Sequence, residues 1–183
     1  MIPVLDWSTY ATDPEGFTAK LGHACRDTGF FLLKGHGVPD DLIAGVFAQA
    51  DTFFSKPDAE KQPLSISKNP HNRGWARIGS ESLDDTSGQI DSKEAFNVGL
   101  DLAEDDPRVL AGEPFRGVNV WPDQPGFRDT MLAYYNAVWR LGTDLHHAIA
   151  TDLGLPADYF AEHFDAPLAI LRILAYPEAK GTE

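Results

Sequence analysis

The sequence predicts an α+β fold, and three observations support this class. Apolar residues recur at helical spacing in three long segments, residues 14–28, 39–54 and 126–153. Four shorter runs have the composition and length of strands, at residues 2–7, 30–34, 93–99 and 168–177. No internal repeat, low-complexity tract or linker divides these elements. We therefore expect residues 1–183 to form a single unit.

The first two strands flank the first predicted helix. Asp13 is a typical helix N-cap, Pro14 suits the first helical position, and Gly29 suits the position after the last turn. The second strand leads into Gly35-His36-Gly37. A histidine between two glycines at a strand end is more often a turn residue than a ligand, so we favour a turn there. Apolar residues at helical spacing then predict that one face of the second long helix is buried: Ile43, Val46, Phe47, Ala50 and Phe54.

The middle of the chain combines a short helix, a long connection and a strand. Pro57 is expected to start a short helical turn through Lys61. Polar residues and glycine dominate residues 65–92, and long ordered connections are often functional. Within it, Arg73-Gly74-Trp75 joins a bidentate donor to a stacking surface, so substrate contact and plain packing are equally compatible with the pattern. Residues 93–99 alternate as expected for a strand.

The last third of the chain contains the longest helix and a final apolar strand. The helix is expected to end near Gly154 and to be followed by a short helix over residues 156–164. One stripe of apolar residues along the long helix is expected to be buried: Met131, Tyr134, Val138, Leu141, Leu145 and Ile149. Arg172 interrupts the strand at 168–177. Because a guanidinium is costly to bury unpaired, we expect Arg172 to face an anionic ligand, a carboxylate or a water-filled pocket, with an ion pair to a structural Asp or Glu as the alternative.

Composition excludes several classes of partner. The chain has 15 Lys and Arg against 28 Asp and Glu, a formal charge of −13, and no basic stripe. Nucleic acid and anionic membranes attract clustered positive charge, so neither is an expected partner. The single cysteine, Cys25, excludes an intrachain disulfide, and we expect its side chain to be buried. No signal peptide or long apolar run is present, which predicts a cytoplasmic protein.

The sequence offers no convincing metal site. His146 and His147 are adjacent on a predicted helix, so their side chains point about 100° apart. His163-Phe164-Asp165 has the His-x-Asp spacing of two-histidine, one-carboxylate iron sites, but no histidine follows it and it lies at a predicted helix end. We therefore expect no metal ligand in this chain. Oligomeric state is left open.

Several segments, in order and at matching spacing, resemble one known family. They are residues 2–6, Ala24-Cys25-Arg26-Asp27-Thr28-Gly29-Phe30-Phe31, Gly35-His36-Gly37-Val38, Phe53-Phe54, Lys93-Glu94-Ala95-Phe96, Trp121-Pro122, Phe127-Arg128 and residues 171–177. The chain resembles the N-terminal half of the isopenicillin N synthase-like family of Fe(II)- and 2-oxoglutarate-dependent oxygenases. The resemblance covers nearly the whole chain.

The resemblance implies a helical N-terminal region, about residues 1–120, a long support helix and the first strand of a jelly-roll core at about 168–177. In this family the iron ligands and the Arg-x-Ser that binds 2-oxoglutarate follow the Tyr-Pro strand. We therefore expect Fe(II) and 2-oxoglutarate as cofactors with ligands beyond residue 183, no catalytic residue in this chain, and no 2-oxoglutarate turnover by the 183 residues alone.

Residue by residue, the resemblance implies few site residues. Tyr176 matches the family tyrosine that contacts a co-substrate or substrate carboxylate, and Arg172 lies four residues earlier on the same strand, so both are expected to bind cofactor. The candidate contacts to a small-molecule substrate are Arg73, Glu94, Phe96 and Asn97, and for the last three core or surface packing fits the pattern equally well. A non-catalytic binding or scaffold module, and an oxidase of the isopenicillin N synthase type that uses no 2-oxoglutarate, remain the alternatives.

Overall fold

A computed structural model describes residues 1–80 and 92–177. Within these residues the helices are α1 (Pro14–Asp27), α2 (Asp40–Phe54), α3 (Asp58–Lys61), α4 (Pro107–Leu110) and α5 (Phe127–Asp152). The strands are β1 (Val4–Asp6), β2 (Leu32–Lys34), β3 (Gly74–Ala76), β4 (Glu94–Val98) and β5 (Leu171–Ala175). Helices and small sheets together confirm the α+β class. None of the helices in these ranges combines the length and hydropathy needed to cross a membrane.

The described residues divide into two compact units. The first consists of Met1–Asp40 and Tyr134–Pro167, and the second of the described residues within 41–133 and 168–177. The single unit expected from the sequence remains a prediction. Each unit is described below by its own contacts.

The first unit is built on α1. The strands β1 and β2 flank α1 in sequence and pair in parallel, with Val4 opposite Leu32. The buried face of α1 includes Phe17 and Leu21, and these residues share one apolar cluster with Ala148 of α5. Burying a residue of the size of Phe or Leu contributes about 1.5–3 kcal/mol, so this cluster accounts for much of the first unit's stability.

Local signals in the first unit act as the sequence predicts. Asp13 Oδ1 accepts a hydrogen bond from the Gly16 amide at 2.9 Å, which caps α1. Gly29 ends α1 with φ of +82°, a left-handed conformation that glycine adopts without strain. His36 Nδ1 accepts from the Val38 amide at 3.1 Å, so this histidine is the turn residue favoured by the sequence.

Other expectations are corrected. No α-helix forms over residues 156–164, where turns surround a short 3-10 segment, Ala161–His163. The Cys25 side chain is exposed, because it lies beside the buried face of α1 rather than on it. The strands expected at 2–7, 30–34 and 168–177 contract to the three to five residues that pair with a neighbour.

The second unit is organised around a three-stranded antiparallel sheet in the order β3-β4-β5. Phe53 from α2 and Phe127 from α5 pack against this sheet at Phe96. The sheet therefore has one face on an aromatic core, and the other face is the natural place to look for a site.

Asp106 caps α4 and is tied to Arg108. Its carboxylate accepts from the Arg108 amide at 2.9 Å, from Nε at 2.8 Å and from Nη2 at 2.7 Å. Hydrogen bonds from the Arg108 side chain and amide lower the pKa of Asp106 to about 2. Because the folded pKa is depressed, the stabilisation is present above the ordinary carboxyl pKa of about 4 and is lost as pH falls through about 2.

We therefore expect NMR titration of the Asp106 carboxyl carbon to give a midpoint near pH 2. The Arg108→Gln substitution removes the guanidinium and should move the pKa upward toward that of an ordinary aspartate. Arg77→Gln, which removes the partner of Asp58 instead, should leave the Asp106 pKa unchanged. An ordinary pKa in the wild-type protein would contradict this account.

Candidate functional site

The register of the sheet assigns each side chain to one of two faces. Trp75 lies opposite Phe96, and Phe96 lies opposite Ile173. Gly74 lies opposite Asn97, which in turn lies opposite Arg172. Because successive side chains alternate across a strand, these two rows occupy opposite faces.

The first row faces the aromatic core. The Phe96 side chain is completely buried, with its ring centroid 4.9 Å from that of Phe53 and 5.2 Å from that of Phe127. Both ring pairs are edge-to-face, the geometry that aromatic quadrupoles favour. Phe96, a predicted substrate contact, is therefore placed by the structure in the hydrophobic core.

Glu94 belongs to the same face and to a buried ionic network. Its Oε2 accepts from Lys61 Nζ at 2.6 Å and from Trp75 Nε1 at 2.7 Å. Lys61 is only 2% exposed, also donates to the Phe54 carbonyl at 3.2 Å and lies over the Trp75 ring. Glu94, the second predicted substrate contact, thus neutralises a buried cation.

Arg73, the third predicted substrate contact, is buried and joins two loops. Its Nη1 donates to the His71 carbonyl at 2.8 Å and its Nη2 to the Phe115 carbonyl at 3.1 Å. Next to these contacts, Asn72 and Phe115 have φ of +61° and +60°. For a residue other than glycine this backbone conformation costs about 1–2 kcal/mol. The structure therefore places Arg73 where it holds strained backbone in position.

The opposite side of the sheet is the Asn97 face, which we define by its strand residues: Gly74, Ala76, Ala95, Asn97, Arg172 and Leu174. Over β3 and β4 this face is buried, whereas Arg172 and Leu174 on β5 are exposed. The sheet thus carries a row of small and polar residues that ends in an accessible guanidinium.

Asn97 has an unsatisfied acceptor on this face. Its Nδ2 donates to Asn72 Oδ1 at 3.2 Å and, more weakly, to the Asn72 carbonyl at 3.5 Å. Its Oδ1 is buried and makes no hydrogen bond. Leaving a buried acceptor unpaired costs about 1–3 kcal/mol, so this atom is a candidate acceptor for a hydrogen bond from a ligand.

The two predicted cofactor contacts lie at opposite ends of β5. Arg172 is the cross-strand neighbour of Asn97, while Tyr176 lies one residue beyond the end of β5 and is 68% exposed. Four residues of extended chain span about 13 Å, so the two side chains cannot hold the same end of a small ligand without bending toward each other.

The described residues do not supply an iron site. In the ranges 1–80 and 92–177 no three His, Cys, Asp or Glu side chains are close enough to hold a metal ion together. His146 Nδ1 instead lies 2.7 Å from the Gly142 carbonyl, and its ring packs against Phe160 and Phe164. This part of the chain therefore does not fit Fe(II), and no chemical step is assigned to a metal here.

Comparison with known proteins identifies the family. Residues 2–124 match the family described as non-haem dioxygenase in morphine synthesis N-terminal. The chain belongs to this dioxygenase family. It is 34% identical over 188 residues to a 2-oxoglutarate-dependent dioxygenase of Trichoderma harzianum, an alignment that covers 99% of this chain and 57% of the relative.

Solved structures of the dioxygenase family share the fold of this chain. A 2OG-Fe(II) oxygenase family protein from Caulobacter crescentus superposes with a TM-score of 0.81 at 27% identity, covering 96% of this chain and 56% of that protein. A full-length Neurospora crassa protein, crystallised with alpha-KG and thymine, gives a TM-score of 0.76 at 27% identity, covering 96% and 55%. The chain thus spans about half the length of the dioxygenases it matches.

Sequence reasoning missed two residues that support this sheet. Lys61 falls in a short predicted helical turn, and nothing in the sequence indicates that its ammonium is buried against Glu94. Asn72 was not singled out either, although asparagine is among the few residues that tolerate left-handed backbone. The dipeptide Asn72-Arg73 before Gly74 was the available signal.

Proposed function

We propose that the complete protein is an Fe(II)- and 2-oxoglutarate-dependent oxygenase that hydroxylates or otherwise oxidises a small organic molecule. This chain would form its N-terminal part. The proposal is supported by the family match over residues 2–124 and by relatives named as 2-oxoglutarate-dependent dioxygenases. The observation that carries it for this chain is the exposed Arg172 beside Asn97, on the sheet face opposite the aromatic core.

Arg172 and Tyr176 would bind the 2-oxoglutarate or substrate carboxylates in this proposal. A guanidinium offers a planar fork of donors that matches a carboxylate, and a phenol can donate one further hydrogen bond. Asn97 stays a candidate substrate contact because its Oδ1 has no partner. The burial and contacts of Arg73, Glu94 and Phe96 favour supporting roles for these three residues.

The remaining parts of the proposal concern regions beyond the described residues. We propose that β3, β4 and β5 are strands of a jelly-roll sheet and that residues after 183 supply the ligands of Fe(II), which when bound would activate O₂, the oxidant of the substrate. We also propose a cytoplasmic protein, consistent with its single cysteine, which fits a reducing compartment. Its partner would be a small molecule, as in the Neurospora crassa protein that was crystallised with thymine.

The proposal is tested by measuring 2-oxoglutarate affinity and consumption in the complete protein with Arg172 replaced. We expect Arg172→Gln to weaken 2-oxoglutarate binding by about 10–100-fold, because a hydrogen bond to a charged group contributes about 1.5–3 kcal/mol. The 2-oxoglutarate affinity of Arg172→Lys should lie between those of the wild-type protein and Arg172→Gln, since lysine keeps the positive charge but lacks the planar pair of donors of a guanidinium.

Arg77→Gln is the matched control, because Arg77 is also exposed and its Nε donates to Asp58, a residue that does not belong to the Asn97 face. It should leave 2-oxoglutarate affinity unchanged. Unchanged affinity in Arg172→Gln would remove Arg172 from the cofactor site. If the complete protein neither bound nor consumed 2-oxoglutarate, the proposed function itself would be wrong.

A further inference from the structure

The chain contains a second buried asparagine, Asn119, with which the unpaired acceptor of Asn97 can be compared. Asn119 is also buried, at 9% exposure, but its amide is fully used: Oδ1 accepts from the Gly99 amide at 2.9 Å, and Nδ2 donates to the Gly99 carbonyl and to Asp101 Oδ1. Asn97 is 1% exposed, and only its Nδ2 has partners. The fold therefore gives both polar atoms of Asn119 a hydrogen-bond partner and leaves the buried Oδ1 of Asn97 without one.

The orientation of the Asn97 amide follows from its partners. Nδ2 points at two acceptors, Asn72 Oδ1 and the Asn72 carbonyl. The Asn72 backbone carbonyl is an acceptor whichever way the Asn72 side-chain amide is turned, so rotating the Asn97 amide by 180° would place its oxygen against that carbonyl oxygen. Oδ1 is therefore the atom left for a ligand, and that ligand must bring a hydrogen-bond donor.

The neighbour of Asn97 adds a second requirement. Arg172 is directly opposite Asn97 on the same sheet face, where cross-strand Cβ atoms lie about 4.5–5.5 Å apart. A guanidinium has five N–H donors and no acceptor, so Arg172 can contact a carboxylate and still offer a donor to a carbonyl. A ligand across this pair must present a donor next to an acceptor.

We propose that the substrate recognised on the Asn97 face carries an amide-type N–H next to a carbonyl, as in a carboxamide, a lactam or a cyclic imide. The N–H would donate to Asn97 Oδ1, and the carbonyl would accept from Arg172. This inference rests on the proposed function, since it names the substrate class of the same site. Asn72 is a positioning residue here, because it acts only through the Asn97 amide.

The test uses two probes that differ only in the donor, glutarimide and N-methylglutarimide, with binding to the complete protein measured by calorimetry. We expect glutarimide to bind at least tenfold more tightly, because the methylated probe leaves Oδ1 unpaired. Asn97→Ala should remove this preference. Asn136→Ala, the same substitution at an exposed position on α5, should retain it.

Each outcome decides the proposal. Equal affinity for the two probes, no saturable binding of glutarimide, or a preference that persists in Asn97→Ala would overturn it. If Asn97→Ala shows no cooperative thermal transition, that variant is not folded. The affinities of the wild-type protein for glutarimide and N-methylglutarimide then still test the proposal. The proposed function is tested separately, by titrating 2-oxoglutarate in the absence of either imide. A failure of the proposed function would therefore appear in 2-oxoglutarate binding, and a failure of the substrate proposal in imide binding.

Discussion

Phe96→Ala is expected to lower the free energy of unfolding by about 3–5 kcal/mol, the usual cost of deleting a buried aromatic side chain. Phe96 is fully buried between Phe53 and Phe127, so the substitution leaves a cavity and removes two edge-to-face contacts. Denaturant unfolding followed by tryptophan fluorescence measures the change, because Trp75 is the cross-strand neighbour of Phe96.

The matched control is Phe47→Ala. Phe47 lies on α2 but is 67% exposed, so its replacement should change the free energy of unfolding by no more than about 0.5 kcal/mol. The comparison also tests the sequence-based role of Phe96 in substrate binding. If Phe96→Ala kept wild-type stability while weakening substrate binding, the core assignment would be wrong and the substrate prediction would stand.

Glu94→Ala should destabilise the protein by about 3–5 kcal/mol, because it leaves the buried Lys61 ammonium with only the more distant, half-exposed Asp58 as a counter-charge. Lys61 is almost completely buried, and Glu94 Oε2 is its shortest contact, at 2.6 Å. The substitution also removes the acceptor of Trp75 Nε1. Equilibrium unfolding in denaturant measures the loss.

Two further variants separate the buried charge from general damage. Lys61→Met combined with Glu94→Gln removes both charges and should be more stable than Glu94→Ala alone. Asp58→Ala removes the second carboxylate near Lys61, which is 3.5 Å away and half exposed, so its cost should be about 1 kcal/mol or less. Equal losses in Glu94→Ala and Asp58→Ala would show that Glu94 is not the essential counter-charge.

Local features of the fold were predictable because their causes are local. Asp13 caps α1, Gly29 ends it and β4 forms within residues 93–99, since each depends on residues a few positions apart. The resemblance to the oxygenase family was also readable, because its motifs follow one another at fixed spacing. The family match confirms it.

The roles of individual side chains were harder to predict because they depend on strand register and on which helix face is buried. A one-residue change of register would exchange Phe96 and Asn97 between the two sheet faces. On α2, Phe53 is buried whereas Phe47, expected in the core, is exposed. On α5, the predicted stripe contained Tyr134 and Val138, but Tyr135 is buried and Val138 is exposed. Stripes that differ by one residue fit a helical period almost equally well, so the sequence does not separate them.

The apolar cluster of the first unit has a consequence for how the protein is made. Ala24 on α1 is buried in the same cluster as Ala148 on α5, about 120 residues later in the chain. At synthesis rates of about 5–20 residues per second, α1 waits roughly 6–25 s for the segment that covers it. Until then the buried face of α1 has Leu5 and Leu33 to pack against but not Ala148, so part of this apolar face stays exposed to solvent during translation.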